Sequence, residues 1–388
     1  MIFSKEIGES LTYKFSQKAG EMKRQGKKII SLGLGEPDFT TPQYVTDATV
    51  DALNNGYTHY SMSQGLPELR EHIANMFNNQ YEAPYSANNV MIAPGVKHAL
   101  YLALCAVLNP GDEIINISPS YVSYIPQIKI AEPQANIVDV CLEKETFSLD
   151  IQKLKKSISD KTKVILINFP HNPTGKVLSL NEVNDIVNIA VENDIYLISD
   201  EVYRDMIYGV YEKISVAKYY KDFKKIMIVD GFSKSYAMTG WRIGYAVADN
   251  DLIKKMNLIN QHINTNTCTF IQKGACSIFE NENQHIDEYN DKLKERADIF
   301  HNLLSDIDVF YGVKPQGGFF YFVDISKSGM NSNDFCAALI EETGIAATPG
   351  IAFGKDWDTH IRFSLAVDKE ILIHAGNLLK EFIQSIKV

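Results

Sequence analysis

Apolar residues come in short blocks separated by longer amphipathic stretches. The blocks Val90–Ala93, Glu113–Ile117, Val164–Ile167, Ile195–Ser199, Ile226–Val229 and Ile243–Val247 are too short for helices and show little two-residue alternation. Between them, Lys97–Leu108 places Leu100, Tyr101, Leu104 and Leu108 on one helical face, and Leu180–Asn193 reads the same way. Short strands alternating with helices predict a mostly parallel sheet with helices on both faces. Strands buried on both sides need no polar face, which accounts for the missing alternation.

The last hundred residues follow another pattern. Asn281–Ser305 reads as a long charged helix, Gly318–Val323 and Ile361–Leu365 as strands, and Asp334–Glu342 as a helix stopped by Gly344; a final helix covers Lys369–Ile386. The first forty residues carry too little apolar pattern to fold alone and are expected to pack on this part. The predicted architecture is therefore α/β: a three-layer αβα large domain (41–285) and a smaller α+β domain (1–40 with 286–388). There are no repeats, low-complexity segments or long linkers.

Composition narrows the function classes. A chain of 388 residues with 45% apolar and 22% charged residues can build large cores without staples. A net charge of −10 argues against a broad nucleic-acid surface, though not against a local pocket for a small anion. Cys105, Cys141, Cys268, Cys276 and Cys336 are scattered, odd in number and free of CxxC pairs, so neither disulfides nor a zinc site is expected, and a reducing compartment fits. MIFSKEIGES lacks the apolar core of a secretory leader and no run has the length of a membrane span. The expectation is a soluble cytoplasmic protein.

The unusual residues fall just after the predicted strands, where open α/β sheets bind ligands. Pro94-Gly95-Val96-Lys97, Ser118-Pro119-Ser120-Tyr121, NFPHNPTG (168–175), SDEVY (199–203) and FSKS (232–235) would converge on one crevice. They bring backbone amides at a helix start, an aromatic, a side-chain amide, a carboxylate with a phenol, and an amine with hydroxyls. Pyridoxal 5′-phosphate asks for that set: an amine for its aldehyde, a carboxylate for its ring nitrogen, donors for its ring oxygen and a cradle for its phosphate.

SKSYAMTGWRIGY (233–245), NPTG (172–175) and SDEVY (199–203), with the match running from GLGEPDF (33–39) to HIRFSLA (360–366), resemble the fold-type I, class I/II aminotransferases of the aspartate and aromatic aminotransferase superfamily. The resemblance implies that Lys234 is the Schiff-base lysine and that Asp200 pairs with the pyridine nitrogen, although a helix N-cap also suits an Asp after a strand. It implies that Tyr203 and Asn172 donate to the ring's phenolic oxygen, while NPTG also reads as a turn. The phosphate falls to the amides of Gly95, Val96 and Lys97 at a helix N-terminus with Ser233 and Arg242; many relatives have Ser or Thr at the position of Val96. Tyr121 takes the place of the aromatic that stacks on the ring, with core packing as the competing reading. Tyr60, preferred to Tyr57 by its spacing to Gly65, matches a tyrosine that relatives lend to a neighbouring subunit, which implies a homodimer with shared sites. Arg362 resembles the arginine that grips the substrate α-carboxylate, helped by the backbone of Gly35; an edge-strand surface charge is its plain alternative. His98, His171 and His262 receive no role.

The activity so implied is reversible transfer of an amino group from an L-amino acid to a 2-oxo acid such as 2-oxoglutarate, with Lys234 moving the proton. The alternatives are a C–S lyase or another non-transaminating enzyme of the same fold, an N-acetyl-diaminopimelate-type aminotransferase, and a non-catalytic regulatory domain. A nucleotide-binding protein is disfavoured because GxGxxG and Walker A patterns are absent. Aromatic GGFFYF (317–322) and polar NTNTCTF (264–270) are candidate pocket walls, and the reading leans towards an aromatic or broad-range donor.

Overall fold

The computed structural model describes Gly8 and residues 11–386. The leader reading of MIFSKEIGES thus falls, Gly8 apart, outside the described residues, as do the outermost residues of the 1–40 and 286–388 segments. In chain order the elements are α1 (Leu11–Arg24), β1 (Ile30–Ser31), α2 (Gln43–Asn54), α3 (Pro67–Tyr81), β2 (Val90–Ala93), α4 (Val96–Val107), β3 (Glu113–Ser118), α5 (Tyr124–Ala131), β4 (Asn136–Cys141), α6 (Ile151–Lys156), β5 (Thr162–Asn168), α7 (Leu180–Glu192), β6 (Tyr196–Asp200), β7 (Ile226–Gly231) and β8 (Gly244–Ala248). There follow α8 (Asn250–Ile263), α9 (Thr269–Cys276), α10 (Gln284–Ser305), β9 (Phe320–Asp324), α11 (Ser332–Thr343), β10 (Ile345–Ala346), β11 (Thr348–Pro349), β12 (His360–Ser364) and α12 (Lys369–Ser385). Among the described residues no helix is long and apolar enough to cross a membrane.

A seven-stranded sheet with the order β2-β8-β7-β6-β5-β3-β4 forms the main body. Its strands alternate between two apolar clusters: Ile165, Ile167, Leu197, Ile226 and Ile228 face one side, and Val164, Leu166, Ile198, Met227 and Val229 the other. Both faces are dry over the inner strands, so these read as apolar blocks, whereas edge strand β4 is only half covered. The sheet is mixed, mostly parallel: β8 alone runs antiparallel to its neighbours β2 and β7. The chain passes from β7 to β8 through residues 232–243 without a crossover helix, and a parallel neighbour would need one. That connection carries Lys234.

A second sheet, β11-β12-β9, packs with α10, α11 and α12 around Phe300, Phe319, Phe335 and Phe363. The strand β1 pairs in parallel with β10, tying the N-terminal segment to this part. Gly344 caps α11 at φ 77°, a left-handed conformation that suits glycine. The same apolar cluster takes in Val202, Tyr203 and Met206 from the loop after β6, so the two cores meet at the carboxyl ends of the large sheet.

Candidate active site

The parallel strands β5, β6 and β7 end together, at Asn168, Asp200 and Gly231, and open into a cavity of about 590 Å³. All but two of the residues singled out from the sequence line it; the exceptions are Gly95 and Tyr60. Thr12, Tyr13 and Ser16 of α1 border the cavity, which the sequence pattern did not foresee.

Lys234 is half-buried and its Nζ donates to the carbonyl of Gly35 at 2.6 Å. The amine also stands 5.9 Å from the ring centre of Tyr203 and 5.7 Å from that of Phe319. Burial lowers its pKa to about 8; Glu36 and Asp200 pull it up, while Arg362 and Arg242 push it down. A lysine so placed reaches its neutral, nucleophilic form far below the ordinary value.

Asp200 is buried at the end of β6. Its Oδ2 accepts from the Tyr124 hydroxyl at 2.7 Å and its Oδ1 from the Val202 N–H at 3.2 Å. The second bond braces a turn, and because no helix starts after Asp200 the helix N-cap reading does not hold. Burial raises its pKa to about 6, against the Tyr124 and Val202 hydrogen bonds and the charge of Lys234. Asn168 braces the loop, donating from Nδ2 to the Asp200 carbonyl at 2.9 Å and accepting the Asn172 N–H at 3.0 Å. Tyr124 and Asn168 escaped the sequence reading. Tyr124, one helical turn beyond Tyr121 in SYVSY, is the only hint the chain offers, and twenty tyrosines mask it.

Arg362 lies on the middle strand of the smaller sheet, not on an edge, and is buried. Nη1 donates to Asn172 Oδ1 at 2.9 Å, and Nη2 to the Gly33 carbonyl at 2.9 Å and to Thr348 Oγ1 at 3.4 Å. Its Nε is buried without a hydrogen-bond partner among the described residues. The guanidinium lies over Phe320 at 4.0 Å, and burial lowers its pKa to about 10. The Asn172 bond orients that amide so that Nδ2 stays free of described partners. Tyr203 is buried beside it, and burial raises its phenol well above the usual range.

The Gly33–Glu36 segment passes over these groups and is held from several sides. Besides the Arg362 and Lys234 contacts, Thr348 Oγ1 donates to Gly33 O at 3.1 Å and Thr239 Oγ1 donates to Glu36. Two residues on, Asp38 receives both terminal nitrogens of Arg296, at 3.0 and 2.8 Å. Gly35 therefore meets Lys234 through its carbonyl, a contact the sequence did not announce.

The other end of the cavity suits an anion. Gly95 precedes α4 at φ 90°, and a Cβ there would stand 2.6 Å from Arg242 Nη2. Its own N–H is taken by Ala93 O at 2.7 Å, which removes it from the expected set of donors and leaves the Val96 and Lys97 amides. Ser233 has no side-chain partner among the described residues. Arg242, itself at φ 56°, is exposed and donates from Nη1 to Thr239 O at 2.8 Å. A non-glycine residue in that conformation is strained, which fits a side chain aimed by its surroundings.

Tyr60 does not reach the cavity. It is 87% exposed and borders a neighbouring cleft with Pro94, Trp241 and Arg242. Tyr121 lines the cavity, packs edge-on against Tyr124 and lies under Lys97 Nζ at 5.6 Å. Of GGFFYF only Phe320 lines the cavity, and most of NTNTCTF borders the cleft of Tyr60 instead. His171 is buried, hydrogen-bonded to Thr174 and kept neutral by burial. Among the described residues one group of metal-ligating side chains converges, Glu68 with His72 and Cys276, away from the cavity, and Lys273 is paired with its Glu68.

An amine of lowered pKa, a buried carboxylate, an arginine fork and an anion cradle in one cavity suit nucleophilic chemistry on a small anionic substrate. The sequence model described as aminotransferase class I and II matches residues 27–375. The chain is 37% identical to an aspartate aminotransferase of Bacillus sp. strain YM-2 over 98% of both chains, and 35% identical to that of Bacillus subtilis strain 168 over 97% of this chain and 96% of the relative. Among solved structures it superposes on Thermus thermophilus aspartate aminotransferase with maleate at a TM-score of 0.93 and 31% identity, covering 98% of this chain and 99% of that one. It superposes on an aromatic aminotransferase of Pyrococcus horikoshii at a TM-score of 0.89 and 34% identity, covering 95% and 99%. The chain belongs to the class I and II aminotransferases, the fold-type I enzymes that work with pyridoxal 5′-phosphate.

Proposed function

We propose that this aminotransferase takes its amino group from an acidic L-amino acid of the aspartate type and passes it to a 2-oxo acid such as 2-oxoglutarate. The observation that carries the reading is a cation without a counter-charge: Lys97 lines the cavity, and among the described residues its amine makes no ion pair or hydrogen bond. With Arg362 engaged on the α-carboxylate, a second carboxylate has Lys97 to meet. The solved relative named with maleate, a dicarboxylate, supports the same chemistry. An aromatic donor is the second reading, supported by the aromatic aminotransferase among the structural relatives. Against it, the one aromatic of GGFFYF in the cavity has its ring face covered by Arg362. Steady-state kinetics over a panel of amino donors with 2-oxoglutarate test the choice. Lys97→Met should lower kcat/KM for L-aspartate by about tenfold or more, the loss of one charge-assisted contact, and leave L-phenylalanine unchanged. Equal losses for both donors would overturn the acidic assignment.

Pyridoxal phosphate fits the residues present: the crowding of Gly95 by Arg242 leaves room for backbone but not for a side chain beside the anion, and the unpartnered donors there suit a phosphate. When bound, the cofactor supplies an aldehyde for the amine and a ring that accepts the electron pair released at the substrate Cα. Val96, Lys97, Ser233 and Arg242 would hold its phosphate, Asp200 its ring nitrogen, Tyr203 and Asn172 its ring oxygen, and Tyr121 its face. Lys234 would hold the aldehyde and, as a free amine, would carry the proton at the substrate Cα. Arg362, pre-aimed by Asn172 and Gly33, fixes the carboxylate and so the direction of the Cα–H bond. Tyr124 holds Asp200 ready to be charged.

The same proposal includes a homodimer in which Tyr60 of the partner subunit approaches Arg242, supported by the exposure of Tyr60 and its shared cleft. It includes the division into a 41–285 domain and a 1–40 with 286–388 domain, supported by the separate sheets, and a cytoplasmic home, supported by five free cysteines.

A further inference from the structure

Buried charges join the residues that flank Tyr203 and Lys234, and the activity described above does not use them. Arg204 and Asp205 follow Tyr203; Asp230 lies on β7 shortly before Lys234, and Ser235 follows it. Arg204 Nη2 stands 3.1 Å from Asp230 Oδ2, with the side chains only 2% and 5% exposed. Tyr245 donates its hydroxyl to the same oxygen at 2.9 Å and the Gly231 N–H meets Oδ1 at 2.6 Å, so both oxygens of Asp230 are engaged. A second link runs beside the first. Ser235 Oγ donates to Asp205 Oδ2 at 3.3 Å, Lys213 pairs with Asp205 Oδ1 at 2.7 Å, and Asn290 Nδ2 donates to the Asp205 carbonyl at 2.8 Å. His285 Nε2 meets the Ser235 carbonyl at 3.1 Å, and the Arg204 guanidinium lies on Phe77 of α3 at 4.7 Å. Arg204, Asp205, Asp230 and Ser235 are all absent from the cavity wall.

We propose that Arg204, Asp230 and Asp205 are positioning residues: a two-point clamp that holds the turn bearing Asp200 and Tyr203 against the loop bearing Lys234, and so sets where the amine stands relative to both. This rests on the roles given above to Lys234 and Tyr203. Residues 232–243 reverse the chain without regular secondary structure beyond the loop's own turns, so the place of Lys234 depends on what pins the loop. Asp230 pins its entry, and Asp205 holds Ser235, the residue immediately after the lysine. Gly231 adds tightness at the entry, since a Cβ there would meet Gly244 Cα at 2.8 Å. A buried ion pair contributes little net stability compared with apolar side chains of the same shape; what it supplies is a fixed partner and direction. Displacements of about an ångström at a reacting group cost as much as a hundredfold in rate.

The test is the double variant Arg204→Met with Asp230→Asn, which removes both charges together and keeps the volume. The holoenzyme should retain its circular dichroism and bind pyridoxal phosphate one to one. The pH titration of its bound-cofactor absorbance should shift from the wild-type midpoint, with Glu36, Asp200, Arg242 and Arg362 around Lys234 all in place. Its kcat should fall about tenfold while KM for the amino donor stays within about a factor of two, because Arg362 stands on the other sheet. Arg204→Lys should recover part of the loss. Ser235→Ala, which breaks only the second link and removes a single hydroxyl, should shift the titration in the same direction and decides the matter should the double variant fail to fold. A wild-type titration and kcat in Ser235→Ala and in the folded double variant, with only the melting temperature changed, would reduce the clamp to a structural feature. Turnover by Lys234→Ala would instead overturn the underlying role of Lys234.

Discussion

Arg362 donates from Nη1 to Asn172 Oδ1 at 2.9 Å, across 190 residues of chain, from the three-stranded sheet to the loop that follows β5 of the seven-stranded one. One side chain thereby registers β12 against that loop. The bond also leaves the Asn172 amide nitrogen without a partner among the described residues.

A lysine cannot reproduce that fork. Arg362→Lys keeps the charge but cannot meet Asn172, Gly33 and a carboxylate at once. We expect kcat/KM for the amino donor to fall about a hundredfold, roughly 2.7 kcal/mol, with the bound-cofactor spectrum unchanged. Kinetics set beside a cofactor titration check this; an unaltered kcat/KM would move the grip elsewhere.

Tyr124→Phe removes the hydroxyl that holds down the Asp200 pKa and leaves the aromatic packing in place. Asp200 should then stay protonated to higher pH, and the acid limb of the rate profile should move upward. A pH–rate profile from mildly acidic to neutral pH measures it, and an unmoved limb counts against Tyr124 as the partner that matters.

Asp200→Asn separates stability from activity. The folded carboxyl titrates near 6 and the ordinary one at 3.8, so ionisation opposes folding: the penalty is nil below 3.8, grows between 3.8 and 6, and is complete above 6. Without cofactor the Asn variant should be more stable than wild type at pH 7, by on the order of 3 kcal/mol, and so melt at higher temperature, and the gain should fade as pH falls through this window. Its turnover should be lost. Melting curves of the cofactor-free proteins across that range decide it; a variant less stable than wild type at pH 7 contradicts the sign.

Lys234 should declare itself chemically. With its pKa brought to about 8, about a tenth of the amine is neutral at pH 7, far more than for an ordinary lysine near 10.4. Acylation of Lys234 in cofactor-free protein, followed by peptide mass spectrometry, should reach half its plateau near pH 8 while surface lysines keep rising. Labelling that tracks the surface lysines would place Lys234 in an ordinary environment.

The strands β2, β3, β5, β6 and β7 were legible because burial on both faces turns each into a continuous apolar block bounded by turns. The helices α4, α7, α10, α11 and α12 were legible from helical spacing and, for α11, from its glycine stop; their ends moved by three residues or fewer. Edge strand β4 was missed because it alternates around charged Asp139 and is only half covered. The helix α1 was missed because only Ala19 and Met22 are buried in it, too narrow a stripe for a clear period. The antiparallel direction of β8 was not foreseen, since an apolar block carries no arrow.

In the site, Lys234, Asp200, Asn172, Arg242 and Arg362 were legible through short motifs, whereas Tyr124, Asn168, Thr348 and the clamp of Arg204 and Asp230 were not. Their importance lies in partners remote along the chain.

Local order along the chain therefore determined which chemical groups stand at the ends of which strands, because strand ends, turns and helix starts are set by neighbours. Only the tertiary structure decided how those groups face one another. The amine of Lys234 reaches Gly35, Arg362 faces Asn172 and Gly95 spends its N–H on Ala93. Such pairings, and the burial that moves the pKa values of Lys234 and Asp200 towards neutrality, arise from packing two sheets around a single cavity and have no counterpart in the spacing of residues.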